Sequence, residues 1–548
     1  MLDIINKIDI EKFTDPEVKS VLQLLMNIVE QQHETIVELR EKNQKLRDEI
    51  NRLKGEDGKP NIKGKTKKRM PKDISSEKER KKRKKNRSCK SKEIPIDTRK
   101  TCNFSPEELS KLPDDIRPQG FAEFIVQDLE IGHKNTLFKR AVYYSPSQQK
   151  TYTAPFPADH TGHFGATLRS YILCLKNICN MTESKIVMLL DTIGISISPA
   201  SVSDILIKNH ENFHEEKEAI VDVALESSLY HQIDDTSVRF DGKNYYCHVL
   251  CNELYTAFET TEKKDRLTIL RILLNGRELR YSINAQTFAV LDKLQVGKKY
   301  IKVLEKNYEE GLSEKVFAQK LDNLFPTLGP LVRKNIRDAA AIAWYQTSET
   351  HQIIECLICD DAPQFKLITT DLALCWVHDG RHYKKLTPGL KIHQKKVDTF
   401  LTKYWEYYHQ LLSYKSNPSP LKARQLRQEF ITLFSKKTGY VALDDRINKT
   451  YGKIEELLLV LKYPWIPLHN NQSELAARVM TRIEDVSLHS VTKEGLRARD
   501  TFASIIDTAR KLGVNAFDYI YDKVSKTFEM KTLPEIIKDL SSNPSLVT

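Results

Sequence analysis

Apolar positions recur with different periods along this chain, and the changes of period divide it. From Leu25 to Leu53 the spacing is heptad: Leu25, Gln32, Leu39, Leu46 and Leu53 share one position, and Val29, Ile36, Asn43 and Ile50 share the other. β-Branched residues at a, leucine at d and a lone asparagine at an a position predict a parallel two-stranded coiled coil, and hence self-association. A helix packed on its own chain is the alternative. Short alternations from Phe121 to Phe156 predict a β-rich piece. Helical spacing follows. Thr182 caps a helix carrying Ile186, Leu189, Leu190 and Ile193, Gly194 breaks it, and Ser198 with Pro199 opens a second helix with Val202, Ile205 and Leu206 inward. This helix-turn-helix spacing places Ser201, Ser203 and Asp204 outward, as for reading a DNA groove. Helix pairs that never touch DNA share the pattern.

From Leu229 the period shortens to two. Tyr230 to Phe240 runs into Asp241-Gly242, Tyr245 to Leu250 returns, and Tyr255 to Glu259 follows, which predicts a three-stranded meander. The apolar run Ile353 to Cys359 reads as a buried strand ending in Asp360-Asp361. Residues 390–464 return to helical spacing, with His393, Gln394, Lys395, Lys396, Tyr404, Tyr407, Tyr408, Lys422, Arg424 and Arg427. Basic residues with interleaved aromatics are one way to hold DNA; a solvated helix face is the plainer reading. Asn470 or Asn471 then caps a helix whose first turn holds Glu474, with Arg478 one turn on, either paired to Glu474 or gripping phosphate.

Asp234, Asp360 and Glu474 thus come from two strand settings and one helix. Carboxylates so delivered suit a pair of divalent ions. Pleating leaves Asp234 against Asp235, and Asp360 against Asp361, undecided, because neighbours on a strand point to opposite faces.

Charge adds a polyanionic partner. The 548 residues carry a net charge of +12. Residues 63–92 hold 16 Lys or Arg, among them Lys81, Lys82 and Arg83, against 3 Asp or Glu. The rest is close to neutral, so the basicity is a local, disordered, phosphate-gripping tract. The nine cysteines are expected reduced, and Cys356 and Cys359 point to opposite faces of a strand, which disfavours zinc. No stretch predicts a membrane span or a signal peptide, so a cytoplasmic or nucleoid location is expected.

At this point the chain resembles the bacterial transposases of the insertion-sequence-66 family, a DDE group with an RNase-H-like fold. The resemblance rests on His231-Gln232-Ile233-Asp234-Asp235-Thr236, on Asp360, on Cys375-Trp376-Val377-His378 with Arg381, on Asn470-Asn471 with Glu474, and on the closing stretch Ile505 to Asn515. It departs from the family at His469, at Leu475, in lacking a cysteine-rich element beyond Cys89 and Cys102, and in a long segment from Thr260 to Glu355.

The resemblance implies an α/β, RNase-H-like mixed sheet with a large helical insertion, preceded by a coiled coil, a disordered basic linker and a helical DNA-binding region. The expected division is 1–54, 55–100, 101–228, 229–515 (insertion about 390–464) and 516–548. It selects Asp234, Asp360 and Glu474 as catalytic, metal-binding residues for two Mg²⁺ or Mn²⁺ ions. The partners implied are double-stranded DNA at transposon ends and target, a second copy of the chain, and helper proteins. DNA contacts are expected at Ser201, Ser203, Lys81, Lys82, Arg83 and Arg478. A non-catalytic dimeric DNA-binding protein and a structure-specific nuclease on the same fold are the rival readings.

Overall fold

The computed structural model describes residues 10–53, 96–99, 101, 105–109, 132–155, 163–487 and 490–542. The basic tract, with Lys81, Lys82 and Arg83, lies outside the described residues, as do Cys89, Cys102 and the stretch from Phe121 to Glu130. The architecture is mixed α/β around one five-stranded sheet.

That sheet begins with the expected meander. Strands β3 (His231–Phe240), β4 (Lys243–Cys251) and β5 (Thr256–Thr261) are antiparallel neighbours. Asp241 and Gly242 both take positive φ, 45° and 72°, the primed geometry that matches strand twist in a two-residue hairpin. Strand β8 (Cys356–Cys359) then pairs parallel with β3, and β9 (Asp371–Leu374) parallel with β8. Two short ribbons, β1 (Val142–Ser145) with β2 (Lys150–Thr153) and β6 (Tyr281–Ile283) with β7 (Glu309–Leu312), stand apart from it.

Alternation along β3 feeds two cores. Ile233 joins the large core with Leu250, Ala257 and the helices α5 (Glu211–Ser227), α6 (Arg266–Leu273) and α10 (Pro330–Thr347). Val238, Cys247, Val249 and Phe258 face the other way, against Ala476, Ala477 and Met480 of α15 (Asn471–Ser487) and Ala503 of α16 (Lys493–Lys511).

The outer edge of β5 is closed by a helix. Backbone N–H groups of Thr256, Phe258 and Thr260 donate to the side chains of Thr508, Ser504 and Asp500 at 3.1, 2.9 and 2.7 Å. Alternate strand residues rise about 6.8 Å and one helical turn about 5.4 Å, so acceptors four apart on α16 keep step with donors two apart on β5. The helix stands where a further strand would dock, and the edge is not left open.

Two features revise the expected boundaries. Helix α17 (Ala516–Ser525) packs on α2 (Ala166–Asn177), and α18 (Leu533–Ser542) on α5. The divisions at 228/229 and 515/516 therefore run through one helical layer. The N-terminal helix α1 (Pro16–Leu53) also docks on its own chain. Its Glu30 is buried and accepts from the N–H groups of Gly389 and Leu390 and contacts His393 Nδ1 at 3.1 Å. Burial pushes the Glu30 pKa up, but these donors outweigh it and hold it below the usual carboxylate range. Asn27 bonds Gly439 and Val441. On its remaining surface Leu25, Ile36, Leu39, Leu46 and Ile50 stay exposed, so the heptad seam is uncovered within the single chain.

The insertion consists of α12 (Lys391–Ser416), α13 (Pro420–Phe434) and α14 (Val441–Tyr451). Its tyrosines are not a DNA-stacking face. Tyr404, Tyr407 and Tyr408 are buried around Trp376 with Phe430 and Phe434, because that cluster is the insertion's own core. His393 is buried too, stacked on Tyr440.

Candidate active site

The pairing of β3 with β8 puts His231 beside Leu357 and Gln232 beside Ile358. Two residues further along, the same rank reaches Asp234 and Asp360. Strand register, not the sequence neighbourhood, brings these two carboxylates together at the C-terminal end of β8. Helix α15 lies across β3 on the same face, opened at Asn470, whose Nδ2 approaches the Ile233 carbonyl at 3.5 Å. Gln472 N–H donates to Gln232 Oε1 at 3.2 Å. These contacts lower the first turn of α15, with Glu474, onto the carboxylate pair.

The result is an open cleft of about 280 Å³ lined by Asp234, Asp360, Glu474, His378, Arg381, Asn470 and Arg478, with Asp235 at its rim. Each ambiguous pair is separated by its partners. Asp235, which also borders the cleft, is engaged by Lys264 at 3.1 Å and Gln364 at 2.7 Å. Asp361 is claimed by Lys366 at 2.7 Å and by Lys453, which outweigh burial and lower its pKa. No cation pairs are formed by Asp234 or Asp360 among the described residues; each carboxylate accepts a backbone N–H, from Asp235 at 2.9 Å and Ala362 at 3.0 Å. Burial, then the neighbouring Asp360 and Glu474 charges, push Asp234 up to about 7. Burial likewise raises Asp360. Crowded carboxylates with raised pKa values are a set of negative charges short of a counter-ion.

Glu474 has a counter-ion already. Arg381 forks onto it at 2.9 and 2.8 Å, and Arg478 stands 3.9 Å from the same carboxylate. Arg381 comes from α11 (Trp376–Lys384), whose N-cap is Cys375, its Sγ accepting the His378 N–H at 3.3 Å. Burial raises the Cys375 thiol to about 12, and its role here is a helix cap. His378 and Arg381, three apart, share one face of α11; that spacing was the available signal for Arg381, which the carboxylate pattern alone does not reveal.

The donor set fits divalent cations: three carboxylates and, beside them, the buried Asn470 Oδ1, which accepts no hydrogen bond from the protein. All are hard oxygens, as Mg²⁺ requires. Among the described residues no three His, Cys, Asp or Glu side chains stand as a ready-made metal cluster, consistent with Glu474 being drawn toward Arg381.

The helix pair is placed differently from expectation. Helices α3 (Glu183–Thr192) and α4 (Pro199–Ile207) form with the caps read from sequence, Thr182 accepting from Lys185 and Ser198 from Ser201. Yet Ser201 and Ser203 are half-buried, the Ser201 hydroxyl is tied to Ser198 at 2.9 Å, and Asp204 pairs with Lys208. Helix α4 carries no Lys or Arg, a poor endowment for a phosphate-facing helix. A larger cavity of about 580 Å³ between α5, β5 and α6 borders none of the three carboxylates. Among the described residues no helix is long and apolar enough to cross a membrane.

No known family's sequence profile matches the chain. Over 307 residues it is 30% identical to the uncharacterized protein y4jO of Sinorhizobium fredii (strain NBRC 101917 / NGR234), a match covering 55% of this chain and 93% of that protein. On that similarity, the chain belongs to the family of y4jO.

Proposed function

We propose that this chain is a DDE-type DNA transposase with an RNase-H-like catalytic domain, which binds transposon ends and catalyses metal-dependent cleavage and strand transfer. The observation that carries the reading is the meeting of Asp234, Asp360 and Glu474 in one open cleft. They arrive from the middle strand of the sheet, from the end of its parallel neighbour, and from a helix laid across it. A meander continued by two parallel strands supports the fold assignment.

By this reading Asp234, Asp360 and Glu474, with Asn470 beside them, hold two Mg²⁺ or Mn²⁺ ions. Such ions, when bound, stabilise the attacking and leaving oxygens of an in-line phosphodiester displacement. The chain's own groups do the rest. Backbone N–H groups of Asp235 and Ala362 orient the two aspartates. Arg478, on the cleft wall, offers a guanidinium to a phosphate oxygen. Water first, and then the freed 3′-hydroxyl, serves as nucleophile, so no serine or tyrosine is required. The exposed seam of α1 gives two subunits, and so two DNA ends, a way to meet.

Strand transfer in Mg²⁺ on DNA carrying the element's own ends tests the proposal. The wild-type chain should join ends to target, and Asp234→Asn, Asp360→Asn and Glu474→Gln should each abolish joining. Retention by all three removes the carboxylates from the chemistry. Cutting without joining points to a nuclease, and binding without cutting to a non-catalytic relative.

A further inference from the structure

Among the described residues the ribbon β1–β2 is unusual in covering nothing. Its register sets Tyr143 opposite Tyr152 and Ser145 opposite Lys150, with Val142 and Tyr144 on the reverse face. Both faces are open: Val142 is 61% exposed, Tyr143 72%, Tyr144 62% and Tyr152 44%. A lone two-stranded hairpin is marginal in water, and exposed aromatics gathered in one place mark a contact surface. Charge says what kind. Residues 132–155 contain Lys134, Lys139, Arg140 and Lys150 and not one Asp or Glu, in a chain whose described surface is otherwise laced with ion pairs. The tip adds Ser147, Gln148 and Gln149, with Gln149 at φ 48°, and Lys150 lies over the Tyr152 ring at 5.3 Å.

The chain leading into the ribbon touches the helix pair. His133, nine residues before β1, contacts the Ile193 carbonyl at 3.2 Å, beside the turn between α3 and α4. Gly194 in that turn has φ +80°, and a Cβ there would meet the His133 ring at 2.9 Å. The helix pair thus meets the extended chain that leads into the ribbon.

We infer that this ribbon is a duplex-DNA contact of the chain, entering the major groove tip first. The groove is about 12 Å wide and admits a two-stranded ribbon. Gln149 and Ser147 suit base edges, the lysines suit the flanking phosphates, and the tyrosines lie along the groove wall. The inference rests on the proposed DNA-processing role but needs neither the carboxylates nor divalent ions.

Two measurements on the full chain test it, using a mixed-sequence duplex in chelator. A photocrosslinking amino acid at Gln149 should capture DNA. The variant Lys134→Gln/Lys139→Gln/Lys150→Gln should flatten the dependence of log K on log salt by about 0.9 per lost phosphate contact, or about 2–3 in all. All four positions are exposed, so circular dichroism should match wild type. Crosslinking to a second copy of the chain, crosslinking to nothing, or an unchanged salt slope would overturn the inference. Loss of ribbon binding with strand transfer intact, or the reverse, tells its failure apart from that of the transposase reading.

Discussion

Replacing Asp234 by asparagine should stabilise the protein where metal is absent, although it should abolish catalysis. The reason is the crowding of Asp234 by burial, Asp360 and Glu474, which lifts its pKa from 3.8 to about 7. A carboxyl whose folded pKa is raised binds more protons folded than unfolded between those two values. Stability therefore falls as pH rises through that window, and the penalty is complete above about 7. Three pH units at about 1.4 kcal/mol each set a ceiling of about 4 kcal/mol. Asp234 is half-buried beside an open cleft, so solvent reduces this to roughly 1–3 kcal/mol. For a domain of this size each kcal/mol moves Tm by about 2–4 °C. Thermal unfolding in chelator should show wild type losing several degrees between pH 5 and pH 8, and Asp234→Asn losing less. Saturating Mg²⁺ should then restore wild type, by about 2.7 kcal/mol at a hundredfold excess over Kd, and Asp234→Asn much less. A variant less stable than wild type at pH 8 in chelator, or one that gains equally from Mg²⁺, would refute the reasoning.

Arg381→Gln should tighten Mg²⁺ binding measured by calorimetry, because the guanidinium that forks onto Glu474 competes with the ion; weaker binding would instead make Arg381 a support for the ligand set. Glu30→Ala leaves two backbone N–H groups and His393 without their acceptor, at about 1–3 kcal/mol for a buried unpaired donor. Hydrogen exchange should quicken in the first turns of α1 while the sheet stays protected. Ser504→Ala bares the Phe258 N–H on the sheet edge, which should lower stability by a similar amount and promote concentration-dependent aggregation, read by light scattering.

The sheet was legible because its signals are local. Alternation gives the meander, Asp241-Gly242 gives its turn, and Thr182, Ser198 and Pro199 give the helix starts. What escaped depends on distant partners. Glu30 reads as an ordinary polar flank of a heptad helix, since its acceptor role is fixed by residues about 360 positions away. Asp500, Ser504 and Thr508, spaced by four, read as a solvated helix stripe, though they close a strand edge. Tyr404, Tyr407 and Tyr408 sit among lysines in sequence, and only the fold shows that they turn inward. The choice within each Asp pair needed Lys264, Gln364, Lys366 and Lys453, none of which pleating can supply. The ribbon was legible as strand, but its bareness was not, because a sequence does not state which faces stay uncovered.

The placement of α11 explains why so large an insertion is compatible with a carboxylate site. One face of this helix gives His378 and Arg381 to the cleft. The other gives Trp376, Asp379, Gly380 and Tyr383 to the insertion. Asp379 accepts from Thr450 at 2.8 Å and from Arg446, fastening α11 to α14. Gly380 lets α12 press close, since a Cβ there would lie 2.8 Å from the Trp405 ring. At the far end of that contact, α12 begins at Lys391, where Glu30 of α1 fixes the preceding Gly389 and Leu390. A continuous run of packed groups thus leads from the N-terminal helix through the insertion to the arginine on Glu474. In such an arrangement the insertion is part of what sets the reach of Arg381, so that a change in how α1 docks on the chain also bears on the geometry of the cleft.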